Sequence, residues 1–246
     1  MKPKVSIITT TYNNASMLRE IAGRVAKQDY ENIEYVIVDG ASKDDTIEVI
    51  KELEIQFGDR LKWISEPDKG IYDAINKGIK LASGDIVGMM FDQFASEDVI
   101  SQMVDAITRT GADGVHGDLD YVDGDKIVRH WSMGEGSLRS GWMPGHPTMY
   151  LKKEVYEKYG LYKTDYRIAA DYEFIVRILK KKEVKLCYIP KVLVKMYYGG
   201  TSTDGAGSYI NSFKESYRAL RENKVFCPLF ILGMRTIRVL LQFVRK

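Results

Sequence analysis

The sequence predicts an α/β protein whose central sheet is mostly parallel and carries helices on both faces. The first observation is that short β-branched segments alternate with helix-periodic segments over residues 1–95. The second is that the predicted strands are short apolar runs, as strands buried on both faces are. The third is length, because 246 residues, 45% of them apolar, suffice for one large α/β domain.

Four strands are predicted in this first part, over residues 5–11, 35–39, 61–65 and 86–91. Helix-start residues follow the first two strands: Asn13 to Ser16 before the first helix, and Ser42, Asp44 and Asp45 before the second. The third helix is predicted over 70–81, where isoleucines recur at every fourth position.

The second part of the chain has fewer regular signals. A helix from about Glu97 and a helix over 171–179 are predicted from apolar spacing, and two strands from the Asp123-Gly124 turn. The segment 134–147 is rich in loop-forming residues, and 184–196 has the composition of a strand. The glycine-rich segment 199–207 is expected to be a flexible loop. No stretch has linker composition, so we expect one domain over 1–224, followed by a tail over 225–246.

Composition excludes several classes of protein. The chain has 36 Lys and Arg against 34 Asp and Glu, a net charge of +2, which does not suit a nucleic-acid-binding protein. Two cysteines cannot build a disulfide framework or a Cys-type zinc site. Neither a signal peptide nor an apolar run of about 20 residues is present, so we expect a cytoplasmic protein.

Polar residues follow the ends of the predicted strands. They are Thr10 to Asn13, Asp39, the segment 66–70 and Asp92. Ligands of parallel α/β sheets bind beyond the carboxyl ends of the strands. The sequence therefore predicts a ligand site at this edge.

Three segments at that edge together resemble the family 2 inverting glycosyltransferases with the GT-A fold. They are Val5-Ser-Ile-Ile-Thr-Thr-Thr-Tyr12-Asn13, Val38-Asp39-Gly40-Ala-Ser42, and Asp68-Lys-Gly70 continuing through Asn76-Lys-Gly78 to Gly84-Asp85. Downstream, Gly-His146-Pro-Thr and Ala169-Ala-Asp171-Tyr-Glu resemble acceptor-side motifs of bacterial members that build surface polysaccharide such as O-antigen or exopolysaccharide. Lys195 and the following Gly199-Gly200-Thr-Ser resemble their terminal loop.

The resemblance implies a nucleotide-sugar side over about 1–95 and an acceptor side over 96–224. It assigns the donor, a nucleoside diphosphate sugar and by expectation a uridine one, to Thr10, Tyr12, Asp39, Asp68, Lys69, Asn76 and Lys195. Simpler roles stay open at three of these positions: Asp39 as a turn residue that caps the next helix, Asp68 as a helix cap, and Tyr12 as a packing residue.

The resemblance also implies Mg²⁺ or Mn²⁺ as cofactor, with Asp92 as its ligand. Relatives usually carry two neighbouring aspartates after the fourth strand, whereas this chain has Asp92-Gln93-Phe94. This departure puts metal binding in question. Asp118 and Asp120 are a second pair, but as alternate residues of a strand we expect them on a solvated face.

Asp171 is the expected catalytic base by the same resemblance. A helix N-terminus favours its ionised form, which would take a proton from the acceptor hydroxyl during a single inverting displacement. A cap role is compatible with this one. His146, Trp142 and Tyr172 are the expected acceptor contacts, with His146 alternatively an extra metal ligand or a structural hydrogen-bonding residue.

The tail predicts a basic amphipathic helix. Arg235, Arg238, Gln242 and Arg245 fall within an arc of roughly 80°, with Ile237 and Leu240 among the apolar residues opposite. This pattern favours a peripheral position at the inner face of the cell membrane and a polyprenyl-diphosphate-linked or other saccharide acceptor. Docking on the protein's own core and a homodimer contact are the alternatives.

Three other functions compete with a transferase. A catalytically impaired nucleotide-sugar-binding protein is supported only by the irregular segment after Asp92. A nucleotidyltransferase would carry a glycine-rich, basic first loop, which Thr9 to Asn14 lacks. A nicotinamide oxidoreductase would show G-x-G-x-x-G after the first strand, and none is present.

Overall fold

The computed structural model describes residues 2–197 and 205–244. The first part of the chain alternates strands and helices as predicted, and the bounds differ by a few residues at most. In chain order the elements are β1 Val5–Thr11, α1 Ala15–Ala26, β2 Ile33–Asp39, α2 Thr46–Phe57, β3 Leu61–Ser65, α3 Ile71–Leu81 and β4 Ile86–Met89.

The second part contains more elements than the sequence signals predict. They are β5 Gln93–Phe94, α4 Val99–Thr110, β6 Gly114–Asp123, β7 Lys126–Trp131, β8 Tyr150–Lys152, α5 Lys153–Tyr159, α6 Ala170–Leu179, β9 Leu186–Tyr197, α7 Gly205–Glu222 and α8 Pro228–Val244. The expected flexible loop over 199–207 is too long at its C-terminal end, because α7 begins at Gly205. Residues 198–204 lie outside the described part.

Nine strands form one sheet in the part of the chain that the structure describes, in the order β3-β2-β1-β4-β8-β6-β9-β5, with β7 paired to β6. The strands β3, β2, β1 and β4 are parallel neighbours. Thr11 is aligned with Asp39, and Asp39 with Ser65, so these carboxyl ends meet at one edge. This confirms the predicted α/β class.

Helices cover both faces of the sheet, as predicted. Helices α1, α2 and α4 pack on one side, where Ile7 of β1 is fully buried. Helices α3, α5 and α6 pack on the other side, against Ile8. Gly78 of α3 lets that helix approach β1, because a Cβ there would lie 2.5 Å from Ile8 Cγ2.

Helix α8 is not a free tail. Ile231 and Leu232 are each 3% exposed and join the same core as α6. Two arginines of the predicted basic face contact the rest of the protein: the Arg235 guanidinium lies 4.5 Å from the Tyr172 ring centroid, and Arg238, although exposed, donates from Nε to the Ser140 carbonyl at 2.9 Å. Arg245 and the Gln242 side chain lie outside the described part.

Other apolar residues of α8 face outward. Leu229, Phe230, Ile237 and Leu240 are 51–64% exposed. No helix within the described ranges is both long and apolar enough to cross a bilayer.

Candidate active site

The first two strands and the segment before α3 meet at the carboxyl edge of the sheet. A Cβ at Gly40 would lie 3.0 Å from Asp68 Oδ2 and 3.2 Å from Tyr12 Cδ2. Three sequence-predicted donor residues, Tyr12, Asp39 and Asp68, therefore surround or adjoin this glycine. Tyr12 is 62% exposed, which leaves its ring free to stack on a planar ligand and does not fit a packing role. Thr10 is partly exposed near the end of β1.

Asp39 is buried and fully hydrogen-bonded. Its carboxylate accepts the Ser42 N–H at 3.0 Å, the Ser42 hydroxyl, and the Ser65 hydroxyl at 2.6 Å. These bonds fix the turn after β2 and join it to the end of β3. Asp39 therefore stabilises the turn, as the simpler interpretation holds. It does not cap α2, because the residue that precedes this helix is Asp45.

Asp68 is paired with a lysine that the sequence reasoning did not single out. Lys77 Nζ lies 2.6 Å from Asp68 Oδ1 and 3.0 Å from Glu66 Oε1. These carboxylates raise the pKa of Lys77 in spite of its partial desolvation. Asp68 does not cap α3, because Gly70 with φ of 118° precedes that helix. The signal for Lys77 was its place within the Asn76-Lys-Gly78 motif.

Asn76 and Lys69, the other two expected donor residues of this segment, differ in exposure. The Asn76 amide is buried, donates to the Tyr162 carbonyl at 2.8 Å and accepts the Tyr162 N–H at 2.9 Å. Because both ends of the amide are occupied, Asn76 positions the 162 segment and does not fit a donor contact. Lys69 is exposed, and its N–H donates to Asp73.

Asp171 lies in the first turn of α6. The residue before this helix is Ala169, so the cap role for Asp171 is wrong. The Tyr72 hydroxyl donates to the Ile168 carbonyl at 2.6 Å and lies 3.2 Å from Asp171 Oδ1, so its one proton is shared between the two acceptors. Since Tyr72 lies in the first turn of α3, four residues after Asp68, it links the Asp68 end of the site to Asp171.

His146 lies beside this carboxylate. Its Nε2 is 2.8 Å from the Tyr162 hydroxyl, and the two rings meet edge to face. Burial lowers the pKa of His146, and the Asp171 charge opposes that shift. The Tyr162 ring also stacks on Tyr72, with centroids 6.0 Å apart. His146, Tyr162, Tyr72 and Asp171 thus form one cluster, whose two tyrosines the sequence reasoning missed.

The loop before α6 is held by a carboxylate from α7. Glu215 accepts the N–H groups of Arg167, Ile168 and Ala169 at 2.8–2.9 Å. These bonds fix the entry to the helix that carries Asp171. No local pattern in the sequence indicates this contact.

Trp142 and Tyr172 do not lie open to an acceptor. Trp142 is 7% exposed, and its indole N–H donates to the Met133 carbonyl at 3.0 Å. Tyr172 is 3% exposed beneath Arg235 of α8. Both predicted acceptor contacts are therefore packing residues in this structure.

Asp92 is the expected metal ligand. One of its carboxylate oxygens accepts the Tyr197 N–H at 3.3 Å, and it forms no ion pair with any described residue. Burial raises its pKa, and the nearby Glu20 charge acts in the same direction. Among described residues, no three His, Cys, Asp or Glu side chains are grouped to hold a metal. A partly buried carboxylate without a cation suits a divalent ion whose other ligands are donor phosphates and water.

The alternative pair, Asp118 and Asp120, is buried, so the expected solvated face is wrong. Asp118 accepts the Met133 N–H at 2.8 Å and the Tyr188 hydroxyl at 2.7 Å. Asp120 Oδ1 lies 2.6 Å from His130 Nδ1. The strand is covered on both faces, which a period-two pattern alone does not reveal.

Lys195 lies on β9 and pairs with Gln93, the residue that follows Asp92. It is partly exposed and forms no ion pair in the described ranges. The glycine-rich loop expected to act with it, 199–202, lies outside the described residues.

Comparison with known proteins adds the family. A sequence model described as "Glycosyl transferase family 2" matches residues 6–171, a span from β1 to Asp171. An uncharacterized glycosyltransferase of Mycobacterium tuberculosis is 34% identical over 183 residues, which is 71% of this chain and 68% of that protein. A PGL/p-HBAD biosynthesis glycosyltransferase of Mycobacterium bovis is 30% identical over 209 residues, or 81% and 79% of the two chains.

Solved structures share the fold at low identity. Residues 1–349 of TarS from S. aureus, in complex with UDP-GlcNAc, align with a TM-score of 0.67 and 18% identity, covering 89% of this chain and 65% of that one. The chain spans 39% of the longer TarS chain. The mannosyltransferase PcManGT from Pyrobaculum calidifontis, in complex with GDP-Man and Mn²⁺, aligns with a TM-score of 0.66 and 19% identity, covering 100% and 76%.

Proposed function

The chain belongs to glycosyl transferase family 2 and is a glycosyltransferase, and from this premise we propose that it transfers a sugar from a uridine diphosphate donor with inversion. The single observation that carries the proposal is the Tyr72 hydroxyl, which lies in the first turn of α3, four residues after Asp68, and is 3.2 Å from Asp171 Oδ1. Helix α3 would thus position both parts of the site, the donor through the preceding Asp68 and the base Asp171 through Tyr72.

The donor base and ribose would bind where Gly40 leaves space between Tyr12 and Asp68. The exposed Tyr12 ring supports stacking on uracil, and Thr10 and Asp39 shape the floor. Lys69 and Lys195, which are exposed and partly exposed, would neutralise the charge of the diphosphate. TarS was solved with UDP-GlcNAc and PcManGT with GDP-Man, so nucleotide sugars are the donor class that these neighbours support.

Asp92 is the residue that would hold Mg²⁺ or Mn²⁺. The ion, when bound, would supply positive charge for the departing diphosphate. The uncompensated burial of this carboxylate supports the assignment. One carboxylate is enough for such a site when phosphates provide further ligands.

Asp171 would act as the base. The acceptor hydroxyl gives its proton to the Asp171 carboxylate while its oxygen forms a bond to the anomeric carbon. The bond from that carbon to the diphosphate oxygen breaks on the opposite face, and its electron pair leaves with the nucleoside diphosphate. The first turn of α6 stabilises the negative charge of Asp171 before transfer. The Tyr72 hydroxyl holds the carboxylate in place.

A lipid-linked saccharide is the acceptor that the outer surface supports best. The exposed apolar side of α8 suits a peripheral position on a membrane, and a polyprenyl-diphosphate carrier would keep the acceptor at that surface. We propose that the protein is cytoplasmic and lies at the inner face of the cell membrane. Residues 1–224 would carry the donor and acceptor sites.

Asp171→Asn tests the catalytic assignment. The variant should bind nucleotide sugars as the parent does, measured as the rise in melting temperature across a panel with and without Mn²⁺. Its turnover, measured as release of nucleoside diphosphate, should fall by about 10²–10⁴-fold. Asp125→Asn, an exposed aspartate in the β6–β7 turn, is the matched control. Near-parental turnover in Asp171→Asn would remove Asp171 from this role.

A further inference from the structure

A cleft of about 1200 Å³ lies away from the strand ends, at the base of α8. Its walls are the loop 135–142, the C-terminal end of α6 and the turn between α7 and α8. Leu138, Val184 and Ile231 line its apolar interior. Neither the donor site nor the Asp171 cluster uses this cleft.

Five cationic side chains and one acidic side chain, Glu135, line the cleft. The five come from three separate parts of the chain and are Arg139, Lys180, Lys181, Lys182 and Lys224. In the described part, none of them forms an ion pair. Lysines after a helix C-terminus are common because they complement the helix dipole, which explains residues 180–182 alone. It does not explain why Arg139 and Lys224 face the same space.

A buried polar atom also belongs to this cleft. His116 lines it, is 1% exposed, and has no hydrogen-bond partner for Nδ1 within the described ranges. The imidazole packs beside Trp142 and Tyr188, with ring centroids 5.4 and 5.2 Å away. Buried polar groups are nearly always hydrogen-bonded, so an unpartnered one indicates a missing ligand or water.

The cleft is continuous with the outward apolar side of α8. Phe226 and Phe230 line it and are 87% and 62% exposed. Further along the helix, Ile237 and Leu240 are 51% and 61% exposed. The turn is fixed by left-handed backbone at Lys224 and Cys227, which places a cation and the first aromatic ring at the same rim.

We propose that this cleft binds the phosphate group of a membrane lipid while Phe226, Phe230 and Leu240 enter the acyl layer. The cations match the phosphate, and the adjoining apolar surface matches the chain attached to it. A protein partner would need acidic groups to neutralise the five cations and also an apolar surface to cover the exposed phenylalanines, whereas a phospholipid has both in one molecule. Only the further step, in which this lipid is the carrier of the acceptor, rests on the proposed function.

The experiment is co-sedimentation of the full chain with vesicles of phosphatidylcholine alone or with added polyprenyl phosphate. The triple variant Lys181→Glu, Lys182→Glu, Lys224→Glu should bind the phosphate-containing vesicles about 100-fold more weakly than the parent. The control triple variant Lys27→Glu, Lys51→Glu, Lys126→Glu changes net charge equally at exposed positions that do not line the cleft. It should lose less than about threefold.

A second pair of variants tests the apolar part. Phe226→Ser with Phe230→Ser should weaken vesicle binding about tenfold or more, whereas Ile55→Ser, at an 88% exposed position on α2, should not. Equal losses in cleft and control variants, no binding by the parent, or equally tight binding of inorganic phosphate would overturn the proposal. Donor binding is measured in parallel: if the parent binds no nucleotide sugar but passes the vesicle test, the proposed function fails and the lipid site stands.

Discussion

Gly40 is the residue at which the donor site is most sensitive to a single methyl group. A Cβ there would lie within 3.2 Å of both Asp68 Oδ2 and Tyr12 Cδ2. We expect Gly40→Ala to displace both side chains and to raise the nucleotide-sugar Kd about tenfold. Isothermal titration measures the Kd, and the melting temperature shows whether the fold is kept.

Gly23→Ala is the matched control for this change. A Cβ at Gly23, in the middle of α1, would meet nothing within 4 Å. This variant should bind the donor as the parent does and gain up to about 1 kcal/mol of stability from helix propensity. Unchanged donor affinity in Gly40→Ala would show that the donor does not bind between Tyr12 and Asp68.

His116 makes the stability of the protein depend on pH. Burial lowers its pKa to about 4, so the folded state disfavours the charged imidazole. Below the ordinary pKa of about 6.5 the unfolded chain binds a proton that the folded chain does not, and stability falls as pH falls toward 4. Between pH 7 and pH 4.5 the free energy of unfolding should therefore fall by about 2 kcal/mol less in His116→Phe than in the parent.

Urea unfolding of both proteins at several pH values measures this difference. Glu34, whose pKa hydrogen bonds lower to about 2, acts at lower pH and is present in both proteins. Parallel pH profiles for the parent and His116→Phe would mean that His116 titrates normally.

Single residues also show where sequence reasoning ends. Tyr12 and Asp68 could be placed at one edge because parallel strands bring their carboxyl ends together. The roles of Asn76 and Asp118 could not, because their hydrogen-bond partners, Tyr162 and Tyr188, are 86 and 70 residues away. Local spacing carries no information about such partners.

At the scale of elements, α7 controls how α6 presents Asp171. The Glu215 carboxylate accepts three N–H groups of the loop 167–169. Glu215→Gln replaces one acceptor oxygen with an NH₂ group that faces donors. We expect a loss of about 1–3 kcal/mol in the free energy of unfolding and a lower kcat, because α6 shifts.

The matching change is Glu48→Gln, in the first turn of α2 at an exposed position. It should alter neither stability nor kcat appreciably. Donor affinity should be nearly the same in both variants, since the described hydrogen bonds of Glu215 go to the loop 167–169 and not to Tyr12 or Asp68. A Glu215→Gln variant with parental kcat and stability would contradict the positioning role.

Elements were predictable where burial was regular. The strands β1, β2 and β4 are buried along most of their length, so their sequences are short apolar runs, and the helices between the strands show clear apolar periodicity. The three-residue strand β8 and the helix α5 are too short for periodicity to separate them from loop. Helix α7 begins with Gly205-Ala-Gly207, a composition typical of loops, so its start could not be predicted from local sequence.

At the scale of the molecule, one sheet carries both halves of the proposed reaction. The parallel half, β3 to β4, holds the donor edge, while α6, packed on the far face through Phe174 and Ile178, brings Asp171 to it. The sequence resemblance could predict this pairing of halves. It could not predict that α8 packs on the core through Ile231 and Leu232, because amphipathic spacing does not state which side a helix buries.

The inward packing of α8 leads to a prediction about truncation. A chain that ends at Lys224 loses Ile231 and Leu232, each 3% exposed, and uncovers the core side of Tyr172. Burial of each aliphatic side chain is worth about 1.5–3 kcal/mol, so we expect the truncated chain to unfold about 10 °C lower than the parent. A chain that ends at Val239 keeps both side chains and the Arg238 contact with Ser140, and its melting temperature should lie within about 3 °C of the parent. Differential scanning calorimetry without lipid separates the two cases. Equal melting temperatures for the parent and the chain ending at Lys224 would mean that α8 is an independent tail, as its sequence pattern first indicated.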